Sequence, residues 1–218
     1  MSTRVETIVD ELRAAANPTE HAKVLGRVGD PERVIGVRMK EVFDTAKRHI
    51  DADLDDVAAL LRRPEYECRM VAVSILDFKA RSPKATAEDR AAWCALYLDH
   101  HDHIDVWDLV DRSAPRVVGG HLVDHPDRAA ILDDLAASDE PMRRRTAITA
   151  TFLFIRRDLF DDALRLSALL VDDPEPMVRS NVGVALREVG RRAPKLRDAF
   201  LAEHADRVPK PVRRVALS

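Results

Sequence analysis

Two short segments 35 residues apart constrain the fold of this 218-residue chain more than any other feature. Residues 139–150 read DEPMRRRTAITA, and residues 174–185 read PEPMVRSNVGVA. Glu140-Pro141-Met142 recurs as Glu175-Pro176-Met177, and Arg144 recurs as Arg179 at the same offset. Pro64-Glu65-Tyr66-Glu67-Cys68-Arg69 opens a similar stretch, with Arg69 placed 75 residues before Arg144. Proline suits the first turn of a helix, whose N–H groups have no intrahelical acceptor. Pairs of helices repeating every ~35–45 residues bury their apolar faces by stacking on one another. The pattern predicts an all-α fold, a curved α-solenoid of HEAT-like helical repeats forming a single domain over residues 1–218. An irregular helical bundle is the alternative.

The rest of the chain agrees with helices. Val5, Ile8, Val9 and Leu12 make an apolar stripe, opened by Ser2 or Thr3 as a cap with Glu6 behind it. Val37, Val42, Phe43 and Ala46 make a second. Ala58, Leu60 and Leu61 close a short helix, and Pro64 opens a longer one carrying Met70, Val71, Ile75 and Phe78 inward. Trp93, Leu96, Tyr97 and Leu98 continue the pattern. Pro31, Pro64, Pro83, Pro126, Pro141 and Pro176 each fall where one stripe ends and another begins. Alternating strand segments and Gly-rich phosphate loops are missing. The longest nearly apolar run, Ala147–Ile155, is nine residues, too short for a membrane span. The opening MSTRVETIVDEL is unlike a signal peptide, and Cys68 and Cys94 have no metal-type spacing. A reduced cytoplasmic protein is expected.

The net charge of −3 conceals an asymmetry. Residues 141–218 carry 16 Lys and Arg against 10 Asp and Glu, whereas residues 1–140 carry 19 against 28. One basic face on a nearly neutral molecule suits a nucleic acid, although charged helical surfaces are also ordinary. Arg143, Arg144, Arg145, Arg179 and Arg187 would line such a face at repeat spacing and meet a phosphate backbone. The competing reading has half of them bonded to acidic loop residues such as Asp139, Asp172 and Asp173. The basic C-terminal stretch Arg191, Arg192, Lys195, Arg197, Lys210, Arg213 and Arg214 divides the same way, between phosphate contact and helix-dipole compensation.

Residues 103–122, HIDVWDLVDRSAPRVVGGHL, hold the chemistry. On a helix Trp107 and Asp111 are one turn apart on one face. An ionised Asp beside a Trp is costly in a core. On an electropositive surface the indole can pack on a sugar or base, and the carboxylate can stabilise a cationic transition state or orient water. The alternative is a core Trp with Asp111 capping a backbone group. The preceding Asp99-His100-His101-Asp102-His103-Ile104-Asp105 is dense in metal-ligand types, but His101 and His103 stand two apart. A polar loop with Asp102 or Asp105 as N-cap explains it better than a metal, and no cofactor or metal is expected.

Several of these motifs together resemble a known family. Trp107-Asp108-Leu109-Val110-Asp111, Ser113-Ala114 and Val118-Gly119-Gly120-His121-Leu122 resemble the core of the AlkD-type DNA alkylation repair glycosylases. Gly36-Val37-Arg38 is similar to that family's GVR-type segment. Pro64–Arg69 is similar to its YExR element, Arg144-Arg145-Thr146-Ala147-Ile148 to RRTAI, and Ala185-Leu186-Arg187-Glu188 to ALRE. The resemblance runs in order over about residues 36–205. It implies a monofunctional glycosylase that hydrolyses the N-glycosidic bond of cationic N3- or N7-alkylpurines in double-stranded DNA, without flipping the base, as a monomer away from membranes. Asp111 would stabilise the oxocarbenium-like sugar and Trp107 would pack on it. Arg144 or Arg145 would hold the backbone, with Arg179 and Arg187 as further contacts. The sequence departs from the family where a second cleft Trp is usual: Val184 stands there, and Met142 stands where an aromatic often precedes the double Arg. An altered lesion range or weak activity is expected. The alternatives are a non-catalytic relative that binds damaged or branched DNA, and a HEAT scaffold for proteins.

Overall fold

A computed structural model describes residues 3–218. Among them are thirteen α-helices, two short 3-10 turns and no strand. The helices are α1 (Arg4–Ala14), α2 (Pro18–Val28), α3 (Met39–Arg48), α4 (Leu54–Leu61), α5 (Tyr66–Ala80), α6 (Ala87–Asp99) and α7 (Trp107–Leu122). They continue as α8 (Arg128–Ala136), α9 (Pro141–Arg156), α10 (Asp161–Leu170), α11 (Pro176–Arg192), α12 (Pro194–Glu203) and α13 (Lys210–Ala216). The chain divides into two compact units, one ending at Ser113 and one spanning Ala114–Ser218. The division falls inside α7, beside the helix-interior Pro115.

The cap expected at the first helix forms. Thr3 and Glu6 make a capping box at α1, while Ser2 lies outside the described residues. Thr86 and Asp89 make another at α6. Pro141 and Pro176 occupy the first turns of α9 and α11, as their spacing predicts. Pro64 does not open a helix itself. Glu65 is the N-cap, and α5 begins at Tyr66. With Arg69 aligned on Arg144 and Arg179, Tyr66 rather than Pro64 takes the place of Pro141 and Pro176, and the Arg63 carbonyl, just before Pro64, accepts a 2.7 Å hydrogen bond from Arg69 Nε.

That bond is one instance of a repeated device. Arg69, Arg144 and Arg179 are each the fourth residue of their helix. Each donates back to the carbonyl six residues upstream: Arg69 to Arg63, Arg144 to Ser138 at 2.9 Å and Arg179 to Asp173. Arg144 also donates to Asp139 O and Arg179 to Pro174 O, both at 2.9 Å. The 35-residue offset seen in the sequence is therefore the period of a loop-fastening arginine.

Within the second unit the helices form two layers. Helices α8 and α10 pack against each other and against α9, while α9, α11 and α13 pack side by side. This is the helix-pair stacking of an α-solenoid. Gly119 lets α7 approach α9 closely, because a Cβ there would clash with Ala150 O. In the first unit, α5 is central and packs on α1, α3, α4 and α6. Nearly all of α5 is buried, including Glu67, which is 0% exposed. Its carboxylate accepts three backbone N–H bonds, from Ile35, Gly36 and Val37 at 3.0, 2.8 and 3.2 Å. Gly36 sits at φ 92°, and a Cβ there would meet His21 Cβ at 2.6 Å, so the turn that Glu67 grips requires glycine. No described helix is long and apolar enough to cross a membrane.

Candidate active site

The first turns of α7 carry four acidic or aromatic side chains in a short space: Asp105 just before the helix, then Trp107, Asp108 and Asp111. Asp105 and Asp108 are both bound to the scaffold of the first unit. Asp105 Oδ2 accepts from Arg33 at 2.6 Å and from Arg69 at 2.9 Å. It is therefore an anchor for two arginines. Asp108 Oδ2 accepts from the Tyr66 hydroxyl at 2.7 Å and from Arg27 at 2.9 Å. Burial pushes the Tyr66 hydroxyl far above its usual range, and the adjacent Asp108 charge pushes the same way, so Tyr66 stays a proton donor.

Next along the helix, Arg112 turns the opposite way. Its guanidinium lies between the rings of Phe43 and Phe78, 4.4 and 4.7 Å from their centroids. It donates to Ser74 Oγ at 3.2 Å and pairs with the buried Asp77 at 3.0 Å. Cation–π contact with a desolvated guanidinium contributes about 1–2 kcal/mol. Asp105, Asp108 and Arg112 together fix the rotation of α7 about its axis. With that rotation set, Leu109 and Val110 are fully buried, Asp111 is half-buried and Trp107 remains 39% exposed. The structure thus keeps Trp107 and Asp111 one helical turn apart on a helix whose phase is locked by its neighbours.

The preceding histidines are part of the packing. His101 is buried edge-on to Tyr97, with ring centroids 5.5 Å apart, and His100 Nε2 lies 3.0 Å from Arg62. Burial, and then the Arg69 charge, lower the His103 pKa from its ordinary value. Among the described residues no group of three or more His, Cys, Asp or Glu side chains is placed to hold a metal ion.

The second unit holds the four arginines expected to meet DNA, and three of them are occupied. Arg144 makes a two-pronged ion pair with Asp173, at 2.7 and 3.1 Å, besides its two loop carbonyls. Asp173 is one of the acidic loop residues named in the competing reading. Arg145 is buried and donates to Met177 O and to Ser180 Oγ at 3.3 Å, bracing the start of α11. Arg179 holds Asp173 O and Pro174 O. These guanidinium groups were expected on the surface because their spacing matches a repeat. Their partners are mostly backbone carbonyls, which leave no residue-type signal in a sequence. Arg187 differs: it is half-exposed and pairs with its neighbour Glu188 at 3.4 Å.

Val184 and Phe152, both half-buried, line a cavity of about 510 Å3 in the second unit together with Ile155, Arg156, Glu188, Arg191 and Arg192. Met142 is half-buried at the start of α9. The cavity had no counterpart in the sequence reading beyond the small side chain at Val184.

No curated protein matches the chain. Its backbone is similar to that of a solved structure described as a predicted DNA alkylation repair enzyme from Enterococcus faecalis. The TM-score is 0.71 at 15% sequence identity, covering 92% of this chain and 94% of that one. That likeness supports the all-α fold. A model of the DNA alkylation repair enzyme family matches residues 8–218, nearly the whole length, and the chain belongs to that family.

Proposed function

We propose that this DNA alkylation repair protein is a monofunctional glycosylase for cationic N3- and N7-alkylpurines in double-stranded DNA. Membership of the family makes DNA its partner. The observation that carries the finer reading is the exposed indole at the head of α7: Trp107 is 39% exposed, and Asp111 lies one helical turn further along the same face.

The reaction needs little acid catalysis, because a cationic purine leaves as a neutral base when the C1′–N bond breaks and its electrons go to nitrogen. Positive charge grows on the deoxyribose. An ionised Asp111 stabilises that charge, and Trp107 packs on the sugar. Water then adds to C1′ and loses a proton to Asp111 or solvent. The base is not flipped into a pocket for this step, as the family resemblance implies. Arg187 is the first choice for phosphate contact, with Arg144, Arg145 and Arg179 shaping the loops and helix starts beside it. The protein would work as a monomer in the cytoplasm.

Val184 favours a second reading, a non-catalytic binder of damaged or branched DNA, because it lines a cavity where an aromatic wall would stand. One experiment separates the two. Free-base release is measured from duplex DNA bearing 7-methylguanine or 3-methyladenine. Release by the parent, slowed about a hundredfold to a thousandfold by Asp111→Asn with DNA binding retained, is the expected result. Equal rates from parent and variant refute the role of Asp111. Binding with no release from any cationic adduct leaves the non-catalytic reading.

A further inference from the structure

The cavity at the C-terminal ends of α9 and α11 has a composition that its position does not explain. Arginines in the last turn of a helix offset the helix dipole, which accounts for Arg156, Arg191 and Arg192 singly. It does not account for about 510 Å3 of space left between them, floored by Phe152, Ile155 and Val184. The volume lies in the range of small-molecule sites.

The rim is built. Asp158 takes the left-handed conformation, φ 59°, just past the end of α9. Leu159 N–H returns to Phe154 O at 3.0 Å and Asp158 N–H to Ile155 O at 3.0 Å, closing the helix in a Schellman motif. The turn aims the Asp158 carboxylate at Arg192, which it holds at 2.7 and 3.3 Å. Glu188 Oε1 receives Arg191 at 2.7 Å and Arg187 at 3.4 Å. Arg156 is exposed and has no carboxylate partner among the described residues. The cavity therefore presents a half-buried aromatic ring, an aliphatic floor, two arginines steadied by carboxylates and one arginine with its charge uncompensated.

A nucleotide matches that set: a planar base for the aromatic face and a phosphate for the guanidinium groups. We propose that this cavity binds an unpaired DNA nucleobase, stacked on Phe152 against Val184, with its phosphate on Arg156 and Arg191. The proposal rests on the DNA reading above and concerns a base other than the one being released. The size of Val184 is the determinant, since a larger side chain would fill the space.

The test compares two fluorescein-labelled duplexes, one fully paired and one with a single unpaired 2-aminopurine. The bulged duplex should bind about tenfold tighter than the paired one, the scale of one base–aromatic stack. Phe152→Leu and, separately, Val184→Trp should abolish that preference, read as the ratio of bulged to paired affinity for each variant. Helical circular dichroism of each variant confirms that it folds. Arg156→Gln should lower the log–log salt slope for the bulged duplex by about 1. Equal affinity for the two duplexes overturns the proposal, as does a preference that survives both cavity variants. If neither duplex binds at low salt, the DNA reading itself fails and takes this one with it. A preference for poly-glutamate peptide over the bulged duplex assigns the rim to acidic protein and likewise overturns it.

Discussion

Replacing Arg144 by alanine should unfold the second unit far more readily than a surface substitution would. The guanidinium makes four hydrogen bonds, two to Asp173 and one each to the carbonyls of Ser138 and Asp139. Its partner carboxylate is 3% exposed. With the arginine gone, the Asp173 side chain keeps the Glu175 N–H at 2.8 Å but loses its counter-charge. Removing one member of a buried ion pair costs about 3–5 kcal/mol, a large share of a typical domain stability of about 5–15 kcal/mol. In urea, with a slope of about 1–3 kcal/mol per molar, the midpoint should fall by at least about 1 M. Arg144→Lys should rescue little, because an ammonium cannot span the carboxylate and both carbonyls. Asp173→Asn combined with Arg144→Ala should cost less than the sum of the two, with a coupling of about 2 kcal/mol. A loss under about 1 kcal/mol for Arg144→Ala would show that these bonds do not hold the loop. Arg144 would then return to the set of arginines available to phosphate.

Two further outcomes concern the buried Glu67 and the half-buried His103 and His121. Glu67→Gln places an amide NH2 among three backbone N–H donors; it should cost about 2–4 kcal/mol by chemical denaturation, and a neutral effect would refute the grip of Glu67 on Ile35-Gly36-Val37. Burial lowers the pKa of His103, with the Arg69 charge adding to it, and burial together with His125 lowers that of His121. Since the unfolded chain binds these protons more readily, their stabilisation is present above about pH 6.5 and is lost as pH falls below it. The urea midpoint should decline between pH 7.5 and 5.5, and His103→Gln with His121→Gln should flatten that decline.

Helix type and order were legible because apolar period and proline position report directly on local geometry. Pro141 and Pro176 head their helices for reasons contained in the residue itself. The start of α5 is legible only through the repeat, which puts Tyr66, two residues past Pro64, in the place of Pro141 and Pro176. The work of Arg69, Arg144 and Arg179 was hidden, because the carbonyls they capture are backbone groups. Their spacing announced a repeat, but a row of arginines reads identically whether it faces phosphates or fastens loops. The division of roles among Asp105, Asp108 and Asp111 was equally closed to the sequence. It depends on Arg27, Arg33, Tyr66 and Arg69, which lie 36–81 residues away along the chain.

The repeat also supports the proposal that α7 is the helix to carry chemistry. Helices α5, α9 and α11 place an arginine at their fourth position and turn it back into the preceding loop. At that position α7 has Val110, fully buried. The loop before α7 is fastened instead from outside, by Arg33 and Arg69 on Asp105. Holding the loop by borrowed arginines releases the first turn of α7 from the fastening task. Its leading residue is then Trp107, exposed where α5 has the fully buried Tyr66. A large indole left 39% exposed forgoes part of the ~2–3 kcal/mol that burying such a side chain contributes. The surrounding unit meanwhile commits Tyr66, Arg27, Arg69 and Arg112 to keeping that helix in one rotation. A scaffold that gives up burial at one position while rigidly holding the residue there departs from its own local rule, and such departures concentrate at functional sites.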